Sequence, residues 1–166
     1  MTINLQPILY IACGPSGSGK STIYNTLVKK NPNMNYFSWD KYRLEWYDSE
    51  NYSNAWELSC KDKQFKLKLD EQFHKLLNER KDLFIDNTNL TKKSRRPYIE
   101  QAKNLGYTII GITFNVSLDT LIARQSTRED KYIPEESVIK QFESYQYPSI
   151  MEGFDEIIDS ENLRII

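Results

Sequence analysis

The sequence has one histidine, His74, and two cysteines, Cys13 and Cys60, in 166 residues. A single imidazole excludes a multi-histidine metal centre and any pair of catalytic histidines. Two cysteines so far apart in the chain give neither a disulfide framework nor the paired thiolate spacing of a zinc site. Cys13 reads as a packing residue, and His74 as a surface or boundary residue in the helical pattern Phe65–Leu77. No apolar run approaches the roughly 20 residues of a membrane span. Met1–Tyr10 lacks the basic-then-apolar layout of a signal peptide. An excess of either charge is missing too, because 22 Lys and Arg face 23 Asp and Glu for a net charge of -1. That excludes a generically basic nucleic-acid coat and confines any nucleic-acid site to a local basic patch. No internal repeat or low-complexity stretch is visible. What is present is 39% hydrophobic residues and 13% aromatics, which argues against disorder. The length fits one domain, 1–166, able to bury a core without staples. The expectation is a soluble cytoplasmic protein with reduced thiols and no membrane partner.

Strand and helix patterns alternate. Ile8–Ala12 has the size of a buried strand, and Lys20–Lys30 reads as a helix closed by Asn31-Pro32-Asn33. Asn35–Trp39 is a second strand, Lys41–Tyr47 a helix, and Asp48–Asn54 a polar loop. Ala55–Arg80 carries one long amphipathic helical pattern. Leu83–Ile85 is a third strand, Thr91–Leu105 a helix stopped by Gly106, and Tyr107–Phe114 a fourth strand. Ser117–Thr127 is a helix with Ser117 as N-cap. Arg128–Ile133 is charged and irregular, and Pro134 opens a helix to about Tyr147. Phe154–Ile158 and Leu163–Ile165 are short late strands. This order implies an α/β fold, a mostly parallel central sheet with helices on both faces. The ligand then sits beyond the carboxyl ends of the strands.

The chemically loaded residues follow strands. Gly14-Pro15-Ser16-Gly17-Ser18-Gly19-Lys20-Ser21 matches G-x-x-x-x-G-K-[ST] between a strand and a helix. Glycines let successive N–H groups converge on one anion, and the helix adds its positive end. Gly14, Ser16, Gly17, Ser18, Gly19, Lys20, Ser21 and Thr22 are therefore the expected binding residues for a nucleoside triphosphate. Lys20 reaches the β and γ phosphates, and the Ser21 hydroxyl binds Mg²⁺. No guanine-reading Asn/Thr-Lys-x-Asp follows a strand. The small size and a late arginine segment favour a phosphoryl-transfer kinase, a three-layer P-loop kinase fold with a short lid at about 124–134.

Asp40 follows the second strand, where a carboxylate can orient and deprotonate an acceptor hydroxyl; a helix N-cap is its alternative role. Arg43 lies three residues on, on the same helix face, placed to grip an acceptor phosphate. Asp86-Asn87-Thr88-Asn89 follows the third strand and suits acceptor groups, water around Mg²⁺, or an Asx-rich turn. Eight of the 21 aromatics fall within Tyr36–Trp56, as core or as base-stacking surface. Arg124 and Arg128 share a helix face. One is suited to the transferred phosphate and the other to stacking on adenine.

These residues resemble the 5′-kinase domain of T-even phage polynucleotide kinase, within the P-loop kinase group. The resemblance runs from about Leu9 to Pro148. It rests on the Gly14–Thr22 loop, on Trp39-Asp40-Lys41-Tyr42-Arg43, on Asn87-Thr88-Asn89-Leu90 followed by Arg95-Arg96, and on Arg124 to Arg128 before Ile133-Pro134. It implies ATP and Mg²⁺ as cofactors and Asp40 as general base on a 5′-hydroxyl. It implies Arg43 on the phosphate 3′ of the acceptor nucleotide, Arg128 on the transferred phosphate and Arg124 on the donor base. Asn87 falls in the acceptor element, and Thr88 and Ile133 against the acceptor base. The family's aspartate in the Asp-Thr-Asn-Leu element is Asn87 here, with Asp86 one position earlier. No Asp-x-Asp-x-Thr motif is present, so no 3′-phosphatase activity is expected. The acidic balance implies an acceptor footprint of one or two phosphates. The leading expectation is transfer of the γ-phosphate to a 5′-hydroxyl nucleic-acid end or a nucleoside 3′-phosphate. A P-loop kinase of a small-molecule hydroxyl and a non-catalytic ATP-binding module remain as alternatives.

Overall fold

A computed structural model describes residues 5–164. Five parallel strands form one sheet in the order β2-β3-β1-β4-β5. They are β1 Ile8–Cys13, β2 Asn35–Phe37, β3 Leu83–Ile85, β4 Thr108–Thr113 and β5 Glu156–Asp159. Strand β1 is central because it is apolar on both faces. Leu9, Ile11 and Cys13 join one core cluster with Phe37, Phe73, Leu77, Ile85 and Ile99. Ala12 joins the other, with Ile23, Phe84, Ile112 and Leu163. Side chains alternate across a strand, so each face needs its own helical cover.

Helix α1 (Lys20–Lys30) follows β1, and α2 (Trp39–Trp46) follows β2. The expected long helix over Ala55–Arg80 is two, α3 (Tyr52–Lys61) and α4 (Phe65–Asn78). The break falls at Asp62, whose carboxylate accepts the Tyr47 hydroxyl, the Lys68 ammonium and the Gln64 N–H. Helix α3 also starts inside the expected loop, because the Asn51 side chain caps it by accepting the Asn54 N–H. Helix α5 (Lys92–Asn104) opens on a capping box between Thr91 and Ser94. Helices α6 (Leu118–Ser126, capped by Ser117) and α7 (Glu135–Ser144) flank an irregular stretch. A late strand at Leu163 is not formed. Ser160–Arg164 is helix α8, with Leu163 packed under α1's side of the sheet; Ile165 lies outside the described residues. Cys13 is fully buried and His74 is exposed, as their patterns imply. No helix among the described residues is long and apolar enough to cross a membrane.

Parallel register brings the ends of β1, β2 and β3 together, with Ile11 beside Ile85 and Ile85 beside Phe37. The residues that follow these strands meet at the carboxyl end of the sheet.

Candidate active site

The glycine loop turns as its sequence demands. Gly17 and Gly19 hold φ of 87° and 102°, which side-chain-bearing residues rarely adopt. The Ser18 hydroxyl donates to the Pro15 carbonyl at 2.6 Å and ties the loop from behind. The Gly14 N–H donates to the Thr88 carbonyl at 2.9 Å, joining the loop to the segment after β3. Lys20 is buried, and its ammonium donates to the Gly14 and Pro15 carbonyls at 2.8 and 2.9 Å. Burial lowers its pKa to about 8; the Asp86 carboxylate works against that, while Lys131 and Arg128 add to it.

Asp86 is the carboxylate that the sequence left unassigned. It follows β3 directly and accepts the Ser21 hydroxyl at 2.8 Å and the Tyr36 hydroxyl at 2.6 Å. Burial and the Asp86 charge push the Tyr36 phenol upward, so it stays a donor. A hydroxyl and a carboxylate at the helix end of a phosphate loop are oxygen donors of the kind Mg²⁺ takes. Among the described residues there is no group of three or more His, Cys, Asp or Glu placed to hold a metal alone. Asn87 turns the other way. Its side-chain carbonyl accepts the Trp39 N–H at 3.0 Å, so it anchors the start of α2 at the cleft wall.

Helix α2 presents Asp40 and Arg43. Its N-cap is Ser38, whose hydroxyl accepts the Lys41 N–H, which leaves Asp40 free of that duty. Asp40 Oδ1 accepts Arg43 Nη1 and the Tyr52 hydroxyl, each at 2.8 Å, and Oδ2 accepts Lys131. Burial pushes the Asp40 carboxyl up, but Lys131, Tyr52 and Arg43 outweigh it and hold it below its ordinary value. The Arg43 side chain is only 9% exposed. Its guanidinium lies 4.0 Å from the Trp56 ring centroid and 5.2 Å from that of Phe65, and Nε donates to Ser59. Part of the Tyr36–Trp56 aromatic cluster therefore builds a cage that fixes the guanidinium.

The stretch after α6 closes the other side. Arg124 Nη1 donates to the Gly17 carbonyl at 2.6 Å. Arg128 pairs through Nε and Nη2 with Asp130 at 2.7 and 3.2 Å. Gln141 of α7 accepts the Ser16 N–H at 2.8 Å. One open cleft of about 2010 Å³ joins these walls, lined by Ser16, Gly17, Gly19, Lys20, Ser21 and Thr22 on the loop. It is also lined by Asp40, Arg43, Asn87, Thr88, Arg124, Arg128 and Ile133. Of the residues read from sequence, Gly14 and Ser18 stand behind this wall and shape the loop. Sequence reasoning names Asp86 only within the 86–89 segment, suited to acceptor groups, water around Mg²⁺ or an Asx-rich turn, and it missed Lys131 and Gln141. A carboxylate directly after a buried strand beside the loop strand is a signal for Asp86. For Lys131 and Gln141 only the fold brings them in.

A parallel sheet of this order, a G-x-x-x-x-G-K-S loop between β1 and α1, and a carboxylate at the end of β3 define a P-loop kinase fold. The chain matches the AAA domain family AAA_33 over residues 9–148 and belongs to it. Its fold implies nucleotide binding. A chain in the structure of the Pnkp1/Rnl/Hen1 RNA repair complex is 25% identical, with TM-score 0.67, over 90% of this chain and 46% of that one. A fungal RNA kinase is 20% identical, with TM-score 0.63, over 96% and 42%. A gluconokinase from Sinorhizobium meliloti 1021 is 17% identical, with TM-score 0.61, over 93% and 82%. The chain thus spans less than half the length of the first two. No curated protein matches it.

Proposed function

We propose that the protein is an ATP- and Mg²⁺-dependent kinase that phosphorylates the 5′-hydroxyl of a polynucleotide or nucleoside 3′-phosphate. The observation that carries this is Asp40 and Arg43 side by side in the cleft that Lys20 also lines. A carboxylate held ionised stands next to a caged guanidinium, which suits a hydroxyl and a phosphate of one acceptor. Asp40 takes the hydroxyl proton, and Arg43 holds the 3′ phosphate. Lys20 and Arg128 offset charge on the phosphoryl group in transit, Arg124 lies against the donor, and Thr88 and Ile133 flank the acceptor base. Ser21 and Asp86 are the residues that would hold Mg²⁺, which neutralises the donor phosphates when bound. Arg128 leaves Asp130, an exposed partner two residues on, to do its part. Similarity to a chain of an RNA repair complex supports the same reading.

The likeness in fold to a gluconokinase favours a second reading, a small-molecule hydroxyl acceptor. Transfer of γ-labelled phosphate from ATP separates the two. The acceptors are a 5′-hydroxyl oligodeoxynucleotide, its RNA counterpart, a nucleoside 3′-monophosphate and a free nucleoside. Label on the first three, abolished by Asp40→Asn, is the expected result. Equal labelling of free nucleoside and nucleoside 3′-monophosphate would overturn the role of Arg43. No label on any nucleic-acid acceptor would move the assignment to small molecules.

A further inference from the structure

Both oxygens of Asp40 are occupied before any acceptor arrives. A general base needs a free lone pair within reach of the proton it takes. Three donors fill three of the roughly four acceptor sites of the carboxylate. The one left is on Oδ2 beside the Lys131 ammonium, so the donor that an incoming hydroxyl crowds is Lys131. Arg43 is held by Ser59 and the aromatic cage, and Tyr52 is fixed on α3. Lys131 sits on the irregular stretch between α6 and α7. Asp40 is its only hydrogen-bond partner among the described residues. Its ammonium lies 5.2 Å from the Tyr52 ring centroid, its side chain is 14% exposed, and it lines the cleft with Lys20 and Arg128.

We propose that Lys131 is a catalytic lysine that exchanges partners: it occupies Asp40 in the empty site, yields to the acceptor hydroxyl, and moves to the phosphoryl group being transferred. The proposal rests on the kinase reading above. In the step it serves, the hydroxyl proton passes to Asp40 Oδ2 and the acceptor oxygen forms a bond to the γ-phosphorus. The bond from that phosphorus to the β–γ bridging oxygen breaks, and its electron pair leaves with ADP. Lys131 keeps its proton throughout and supplies positive charge. A cation there before binding competes with the acceptor, and a cation there afterwards speeds transfer.

The charged groups facing Asp40 are Arg43 from its own helix and Lys131 from the lid, with Tyr52 from α3 as a neutral donor. Arg128, Lys20 and Asp86 line the same cleft. Asp40 works as the ionised form, so activity falls as pH drops through its pKa. Removing Lys131 raises that pKa and moves the acid limb of kcat/KM to higher pH.

The experiment compares wild type, Lys131→Met and Lys131→Arg in acceptor KM and kcat across pH, together with NMR titration of the Asp40 carboxyl in the free proteins. Lys131→Met is expected to lower acceptor KM several-fold, lower kcat by roughly 10²-fold, and move the acid limb upward. Lys131→Arg is expected to restore the limb and most of kcat. A Lys131→Met variant with an unmoved Asp40 titration would overturn this proposal alone. So would one with reduced kcat at unchanged KM and limb. Failure of the wild type to phosphorylate any acceptor would instead remove the kinase reading, and the exchange with it.

Discussion

Arg95 is fully buried, and arginine stays charged wherever it is placed. Its Nε and Nη2 donate to the two Glu152 oxygens at 2.8 and 3.0 Å, and Nη1 donates to the Asn89 carbonyl at 2.8 Å. The two side chains are 0% and 8% exposed, so solvent screening is negligible. Glu152→Gln leaves the guanidinium buried without its counter-charge, a loss of about 3–5 kcal/mol. For a chain of this size each kcal/mol corresponds to about 2–4 °C, so Tm falls by roughly 6–20 °C. The site is affected too, because Asn89 holds a φ of 45° while its side chain donates to the Ala12 carbonyl at 2.8 Å. The next residue back, Thr88, holds Gly14. Thermal unfolding followed by far-UV circular dichroism measures the first effect, and ATP titration the second. The double variant Arg95→Met with Glu152→Leu should recover much of the stability, since it removes both charges together. Burial pushes the Glu152 carboxyl up, but hydrogen bonds from Arg95 and Ser149 hold it below its ordinary 4.5. A lowered folded-state pKa stabilises above about 4.5 and is lost as pH falls through the folded value. Glu152→Gln removes that part of the acid sensitivity. A Glu152→Gln loss under about 1 kcal/mol, or a double variant no more stable than the single one, would refute the reasoning.

Asp86→Asn should raise the Mg²⁺ concentration needed for half-maximal transfer by roughly 10-fold or more, read from Mg²⁺ titrations at saturating ATP. Arg43→Lys loses the planar contact with Trp56, so KM should rise about 10-fold for a nucleoside 3′-monophosphate while a free nucleoside is unaffected. Gly17→Ala places a methyl 2.8 Å from the Gln125 amide at a φ of 87°, and ATP affinity should fall about 10-fold by calorimetry. Lys20 binds phosphates as an ammonium, and its pKa stands at about 8 in the empty site. ATP affinity should therefore weaken as pH rises through about 8, and Lys20→Met should abolish that dependence.

Much of this architecture is legible in the chain because local chemistry and global fold agree. The loop Gly14–Ser21 carries its own turn geometry, and the strands around it are short apolar runs. Asp40 and Arg43 are readable as a pair because helical spacing alone places them on one face. The misreadings have local causes. Asp62 gathers three donors and stops a helix whose apolar periodicity runs on beyond it. Leu163 has the apolar character of a strand residue, yet its contacts are those of a helix covering β4 and α1. Lys131 and Gln141 reach the site across 91 and 125 residues of sequence. Neither belongs to a motif, and only the connection from β4 to β5 brings their segments over the loop.

The acidic balance of the chain argues for a short acceptor footprint, but charge is unevenly distributed. Eight lysines and arginines against five carboxylates line the cleft, in a chain with 22 and 23 overall. Lys66 of α4 and Lys93 of α5 are among the cations that line the cleft. A polyanion is therefore attracted at the cleft and repelled elsewhere, which favours an end over an internal stretch. Each phosphate neutralised contributes a slope of about -0.7 in log affinity against log salt for a single strand. If only Arg43 contacts acceptor phosphate, oligonucleotide and nucleoside 3′-monophosphate share one salt dependence. If Lys66 and Lys93 also contact it, the oligonucleotide slope is steeper by one or two such steps, and Lys66→Gln and Lys93→Gln each remove one. The excess of cations over carboxylates in the cleft favours the steeper slope, and equal slopes for the two acceptors would refute it.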